Sequence, residues 1–141
     1  MRPVSSHLAL CAAVSAVVAS SAFAGFDLTL FHNGDSESTL IATGVNAQGQ
    51  PTQFGGVARF KTKLDQVRGA VVGNVLTVNG GDTIIPGPFL DASLQLPPGT
   101  PYYDALAYNA MGYDASVVGN HEFDLGPSVF RKFLDGVNAT S

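Results

Sequence analysis

Apolar residues recur along this chain with two alternating periods, and each change of period marks a new element. Asp27 to Phe31 alternates polar and apolar around β-branched Thr29, which predicts a strand. From Val57 the apolar positions fall at Val57, Phe60, Leu64 and Val67, one face of a helix, with Lys61, Lys63 and Asp65 opposite. Gly69 is expected to end that helix as a C-terminal glycine. Val75 to Val78 reads as a second strand running into Asn79-Gly80-Gly81-Asp82. Thr100 and Pro101 read as an N-cap and first-turn pair, followed by the apolar face Tyr103, Leu106, Ala107, Ala110 and Met111, which Gly112 closes. A third strand, Ala115 to Val118, leads directly into Gly119-Asn120-His121-Glu122-Phe123-Asp124. Gly126-Pro127 opens a last helix with Val129, Phe130, Phe133 and Leu134 inward and Gly136 at its end. The stretches Gly44 to Gln53 and Pro86 to Pro101 are expected to be irregular loops.

Strand and helix thus alternate, the pattern of an α/β fold whose mostly parallel strands are joined by βαβ crossovers. In such a sheet the carboxyl ends of the strands point one way, and active sites are built there. The polar residues that follow the three strands are therefore expected to converge: Asp35 with Glu37, then Asp82, then Asn120 with His121.

Composition narrows the setting. Arg2, the apolar run Leu8 to Ala19 and Ala22-Phe23-Ala24 read as a secretory signal peptide over residues 1–24, so export to the periplasm or beyond the cell is expected. The run is shorter than the ~20 residues of a spanning helix, so no stable membrane span is expected. Residues 25–141 suffice for one small domain. The single cysteine, Cys11, lies in the leader, which leaves neither disulfides nor thiolate ligands beyond it. Without Arg2, six Lys and Arg face eleven Asp and Glu, and no basic stripe points to nucleic-acid binding.

The converging residues have a chemistry of their own. Carboxylates, an asparagine carbonyl and imidazole are ligands for divalent ions, and an aspartate can bridge two of them. Two ions ~3.5–4 Å apart can clamp the attacking and leaving oxygens of a phosphoryl displacement. Gly34, Gly81 and Gly119 beside the acids would let the backbone turn tightly and approach such ions.

Asp35-Ser36-Glu37, Gly81-Asp82 and Gly119-Asn120-His121-Glu122 resemble the first three signature blocks of the calcineurin-like metallophosphoesterases, in order. Leu30 to Asp35, Gly55 to Phe60 and Gly112-Tyr113-Asp114 before Gly119 to Asp124 are similar to the bacterial 5'-nucleotidase and 2',3'-cyclic phosphodiesterase branch. The resemblance spans about Leu28 to Val137. It implies the amino-terminal half of a four-layer α/β/β/α sandwich and a metal-dependent hydrolase acting on a nucleotide or other small phosphoester. It also implies two divalent ions, among Zn, Mn, Mg and Ca. Asp35 and Glu37 would serve one ion, Asp82 would bridge, and Asn120 would serve the other. His121 would act on the phosphoryl group or the leaving oxygen, with Asp124 orienting it.

Two departures qualify the resemblance. Glu37 stands where histidine is commonest in the family, which favours a harder ion. The two further histidine blocks of the family, the last of them G-H-x-H, are absent. The chain is therefore expected to be the amino-terminal part of a longer enzyme, lacking its substrate-binding domain and inactive alone. The other reading is a non-catalytic remnant or secreted metal-binding module; the oligomeric state is left open. Taken singly, Asp35 with Glu37, and Asp82, also fit ordinary turns, and Asn120 with His121 fits capping. His32 is expected to be packed or supporting rather than a ligand, Tyr102 and Tyr103 to be core, and Glu122 to be structural.

Overall fold

The computed structural model describes residues 25–42, 44–51 and 53–138. The expected leader, residues 1–24, lies outside them. Three parallel strands form one sheet in the order β1-β2-β3: β1 is Leu28–Asn33, β2 is Asn74–Asn79 and β3 is Ala115–Ser116. Helix α1, Val57–Gly69, links β1 to β2, while α2, Pro88–Leu94, and α3, Tyr103–Met111, link β2 to β3. A 3₁₀ turn, His121–Phe123, and α4, Pro127–Asn138, follow. The α/β fold with βαβ crossovers stands as expected from the alternating periods.

The core lies among the helices. Ile84, Leu90, Tyr102, Ala105 and Phe133 are fully buried, with Tyr108, Val129, Phe130 and Val137 packed against them. Each large apolar side chain taken wholly out of water there contributes about 1.5–3 kcal/mol. Arg68 near the end of α1 ties the layers together. Its guanidinium donates to Thr77 Oγ1 of β2 (2.8 Å), to the Met111 carbonyl (2.6 Å) and to the Gly112 carbonyl (2.9 Å).

Several local expectations need correction. Helix α2 occupies part of the proline-rich stretch read as a loop; Pro88 sits in its first turn, and Leu90 and Ser93 are buried. Seven residues show too little periodicity to stand out between prolines. Helix α3 begins at Tyr103 rather than at Pro101, and the Thr100 N–H closes a turn onto the Pro97 carbonyl (3.1 Å). Its buried face is also rotated: Asp104, Ala105 and Met111 point inward, whereas Tyr103 and Leu106 are exposed. The inward position of an acid is what hydrophobic periodicity could not anticipate. Tyr102 is core as expected, but Tyr103 is not.

Two glycines do other work than stopping helices. Gly69 is the last residue of α1, and Ala70, right-handed, caps it. Helix α4 runs through Gly136, where an added Cβ would lie 2.9 Å from Ala105 Cβ, so this glycine lets α4 pack closely on α3. On α4, Phe133 is buried whereas Leu134 is 36% exposed. Strand β3 keeps only two residues of the expected four, leaving Val117 and Val118 exposed. Val45 and Pro51 form an isolated antiparallel bridge within the stretch expected to be irregular.

Among the described residues, one face of β1 is uncovered. Leu28 and Leu30 of β1 are 49% and 57% exposed, and His32, expected to be packed, is exposed on the same face.

Candidate active site

Past their last paired residues, β1 and β2 stay zipped together by their backbones. The N–H groups of Asp35, Glu37 and Ser38 donate to the carbonyls of Gly81 (3.1 Å), Asp82 (3.0 Å) and Thr83 (3.0 Å). This path demands unusual backbone: Asp35, Glu37, Ser38 and Asp82 all have positive φ, between 45° and 52°. Non-glycine residues rarely adopt that region outside sites that require it, and holding them there costs about 1–3 kcal/mol each. The strain falls on three of the acids the sequence singles out.

The third segment locks onto the second. The His121 backbone N–H donates to Asp82 Oδ1 (2.9 Å). Gly119 lies so close to Asp82 that a Cβ there would come within 2.6 Å of the carboxyl carbon, and one at Gly81 within 2.5 Å of the Gly119 nitrogen. Both positions exclude side chains on steric grounds, and Gly81 also has φ 87°.

Glu122 completes the junction. Its side chain is buried, and its carboxylate accepts from the N–H groups of Asp82 (3.0 Å), Thr83 (2.5 Å) and Gly119 (2.7 Å). Sequence reading assigned it no part in the site; its place three residues after Gly119 within the block was the available signal.

His121 Nδ1 pairs with Asp124 Oδ2 at 2.7 Å. This hydrogen bond raises the imidazole pKa above its usual value; desolvation opposes it, and the charges of Asp124, Asp82 and Glu37 add to it. The imidazole thus senses acids from all three loop segments. With Nδ1 engaged, Nε2 is the nitrogen left for chemistry.

Asp82, Asn120, His121 and Asp124 are brought together by these contacts. Asp35 and Glu37 join them through backbone pairing; their carboxylates are exposed and accept no hydrogen bond from a described residue. Asn120 precedes the 3₁₀ turn, its carbonyl accepting from the Phe123 N–H (3.1 Å). Among the described residues no three His, Cys, Asp or Glu side chains stand close enough to cage an ion.

Comparison with known proteins places this arrangement. The trifunctional nucleotide phosphoesterase YfkN of Bacillus subtilis is 33% identical over 115 residues, 82% of this chain and 6% of that protein. Human 5'-nucleotidase is 37% identical over 111 residues, covering 72% of this chain and 17% of that protein. A 5'-nucleotidase precursor from Thermus thermophilus superposes with a TM-score of 0.61 at 32% identity, over 78% of this chain and 20% of that one. The chain is homologous to the amino-terminal part of the 5'-nucleotidases. Haemophilus influenzae NAD nucleotidase has the same fold, with a TM-score of 0.62 and 26% identity over 77% of this chain and 21% of that one. No protein-family model matches. The α/β arrangement corresponds to the amino-terminal domain of these nucleotidases, and the chain spans between 6% and 18% of the first few curated relatives it matches.

Proposed function

We propose that this chain is the metal-ligating amino-terminal part of an exported phosphoesterase that hydrolyses nucleotides, and that residues 25–141 do not carry out the reaction alone. The observation that carries this reading is the hydrogen bond from the His121 backbone to Asp82 Oδ1, which ties the His121–Asp124 pair to the central acid of the site. The substrate class rests on the relatives, whose names include 5'-nucleotidases and a nucleotide phosphoesterase. Export rests on the sequence of residues 1–24. No described helix is long and apolar enough to cross a membrane.

The donor set fits divalent cations in kind. Asp35, Glu37, Asp82 and Asn120 offer oxygen ligands, which suit Mg, Ca or Mn and accommodate Zn. Asp35 and Glu37 would hold one ion, Asp82 would bridge and Asn120 would hold the other. When bound, such ions stabilise charge on a phosphoryl group and acidify water. Asp124 pairs with Nδ1, which orients the imidazole and favours its protonated form, and from that form Nε2–H would stabilise the phosphoryl oxygens or donate to the leaving oxygen.

The test is release of phosphate from AMP with added Mn²⁺. Residues 25–141 alone are expected to give none, whereas a longer gene product carrying the missing histidines is expected to be active and to lose turnover in His121→Ala. Hydrolysis by the short chain, abolished by His121→Ala, would overturn the claim that it is inactive alone. A longer product that binds metal but hydrolyses no phosphoester would favour the binding-module reading.

A further inference from the structure

The loops that carry the ligand candidates are held by very little regular structure. Strands β2 and β3 pair at only Val78 with Ala115 and Asn79 with Ser116, and one further backbone bond joins the Val117 N–H to the Asn79 carbonyl (3.1 Å). Beyond that point no ladder fixes residues 80–83 against residues 119–122. A side chain does so instead: the Glu122 carboxylate receives N–H groups from both segments, Asp82 and Thr83 on one and Gly119 on the other.

Burying a carboxylate is costly unless hydrogen bonds offset it. Three backbone donors at 2.5–3.0 Å supply the compensation, and they converge from two segments otherwise joined by the bond from the His121 N–H to Asp82 Oδ1. An acid receiving amides from both sides sets a distance. The distance it sets separates Asp82, whose Oδ1 is taken by His121 N–H, from Asn120, the residue after Gly119.

We infer that Glu122 is a positioning residue, whose buried carboxylate fixes the spacing of Asp82 and Asn120 and thereby tunes the affinity of the site for divalent cations. The inference rests on the proposed metal-ligating role of those two residues. Glutamine has the same shape but one acceptor oxygen, and its NH₂ would face backbone donors, so Glu122→Gln breaks the junction without opening a cavity.

The test compares the natural full-length protein with its Glu122→Gln and Glu122→Asp variants, each checked for folding by near-ultraviolet circular dichroism. Titration with Co²⁺ reads affinity through visible absorption, and amide hydrogen exchange reads the junction. Glu122→Gln is expected to weaken Co²⁺ binding by about 10- to 100-fold, the range for groups that orient metal ligands. The Asp82, Thr83 and Gly119 amides should exchange faster, and Glu122→Asp should fall between. A folded Glu122→Gln protein with unchanged Co²⁺ affinity overturns the inference. Should that variant not fold, the wild-type protein decides: amides at Asp82, Thr83 and Gly119 exchanging as fast as exposed loops overturn it, and protection there that deepens with Co²⁺ supports it. A wild-type protein that binds no Co²⁺ overturns the metal reading of Asp82 and Asn120 and this inference with it; slow exchange at the three amides then shows that the junction itself is intact.

Discussion

Replacing Asp104 with asparagine is expected to stabilise this chain at neutral pH and to change little near the ordinary carboxyl pKa. Asp104 sits in the first turn of α3 with 2% of its surface exposed, and neither carboxyl oxygen has a hydrogen-bond partner. Burial raises its pKa, with the nearby Ser38 side chain and the Asp104 backbone N–H pulling the other way. A carboxyl whose folded pKa lies above its unfolded value favours folding below the unfolded value, about 3.9, and loses that contribution as pH rises through the folded value. At neutral pH the folded chain must therefore either hold a proton against solvent or carry an unpaired buried charge. An unsatisfied buried polar group costs about 1–3 kcal/mol, and more when charged. Asparagine is equally unpartnered but cannot ionise, so Asp104→Asn should gain about 1 kcal/mol over wild type at pH 7, the excess of a charged over a neutral unsatisfied group, shrinking towards zero at about pH 4. Urea unfolding across that pH range measures it. A variant no more stable than wild type at neutral pH, or a difference that does not depend on pH, would refute the assignment of Asp104 as a buried, unpartnered acid.

Other substitutions test the packing. Gly136→Ala should lower stability by about 1–3 kcal/mol, the usual cost of overpacking, because its Cβ would press on Ala105; thermal unfolding decides. Arg68→Ala removes a guanidinium bound to Thr77, Met111 and Gly112, and should cost at least the 1.5–3 kcal/mol of about one charge-assisted hydrogen bond. Leu30→Lys, on the uncovered face of β1, should reduce dye binding and aggregation of the short chain with little loss of stability. The same change in a longer nucleotidase-like product should be destabilising if that face is covered there.

Much of the fold was legible because its signals are periodic. Helix α1 and strand β2 were legible from spacing, although of the expected apolar stripe only Leu64 is buried and Phe60 is exposed, and β3 stops at Ser116 rather than Val118. The short helix Pro88–Leu94 was not, since seven residues between prolines give no period to read. The face of α3 was misjudged because Asp104 breaks the rule that acids point outward, and Gly136 was misread because a packing glycine and a capping glycine are identical in sequence. At the site, the converging residues Asp82, His121 and Asp124 were legible as strand-end blocks. What the sequence could not reveal was the device joining them: the positive φ of Asp35, Glu37 and Asp82, and the buried Glu122 carboxylate, arise only once the three loops are brought side by side.

The central claim is that Asp82 is a metal ligand while His121 is not. Calorimetric titration of Mn²⁺ into the wild-type protein, Asp82→Asn and His121→Ala tests it directly. His121→Ala keeps the backbone N–H that holds Asp82 Oδ1, so it should bind Mn²⁺ like wild type, whereas Asp82→Asn should lose binding. Equal loss in the two variants, or full binding by Asp82→Asn, would contradict the account.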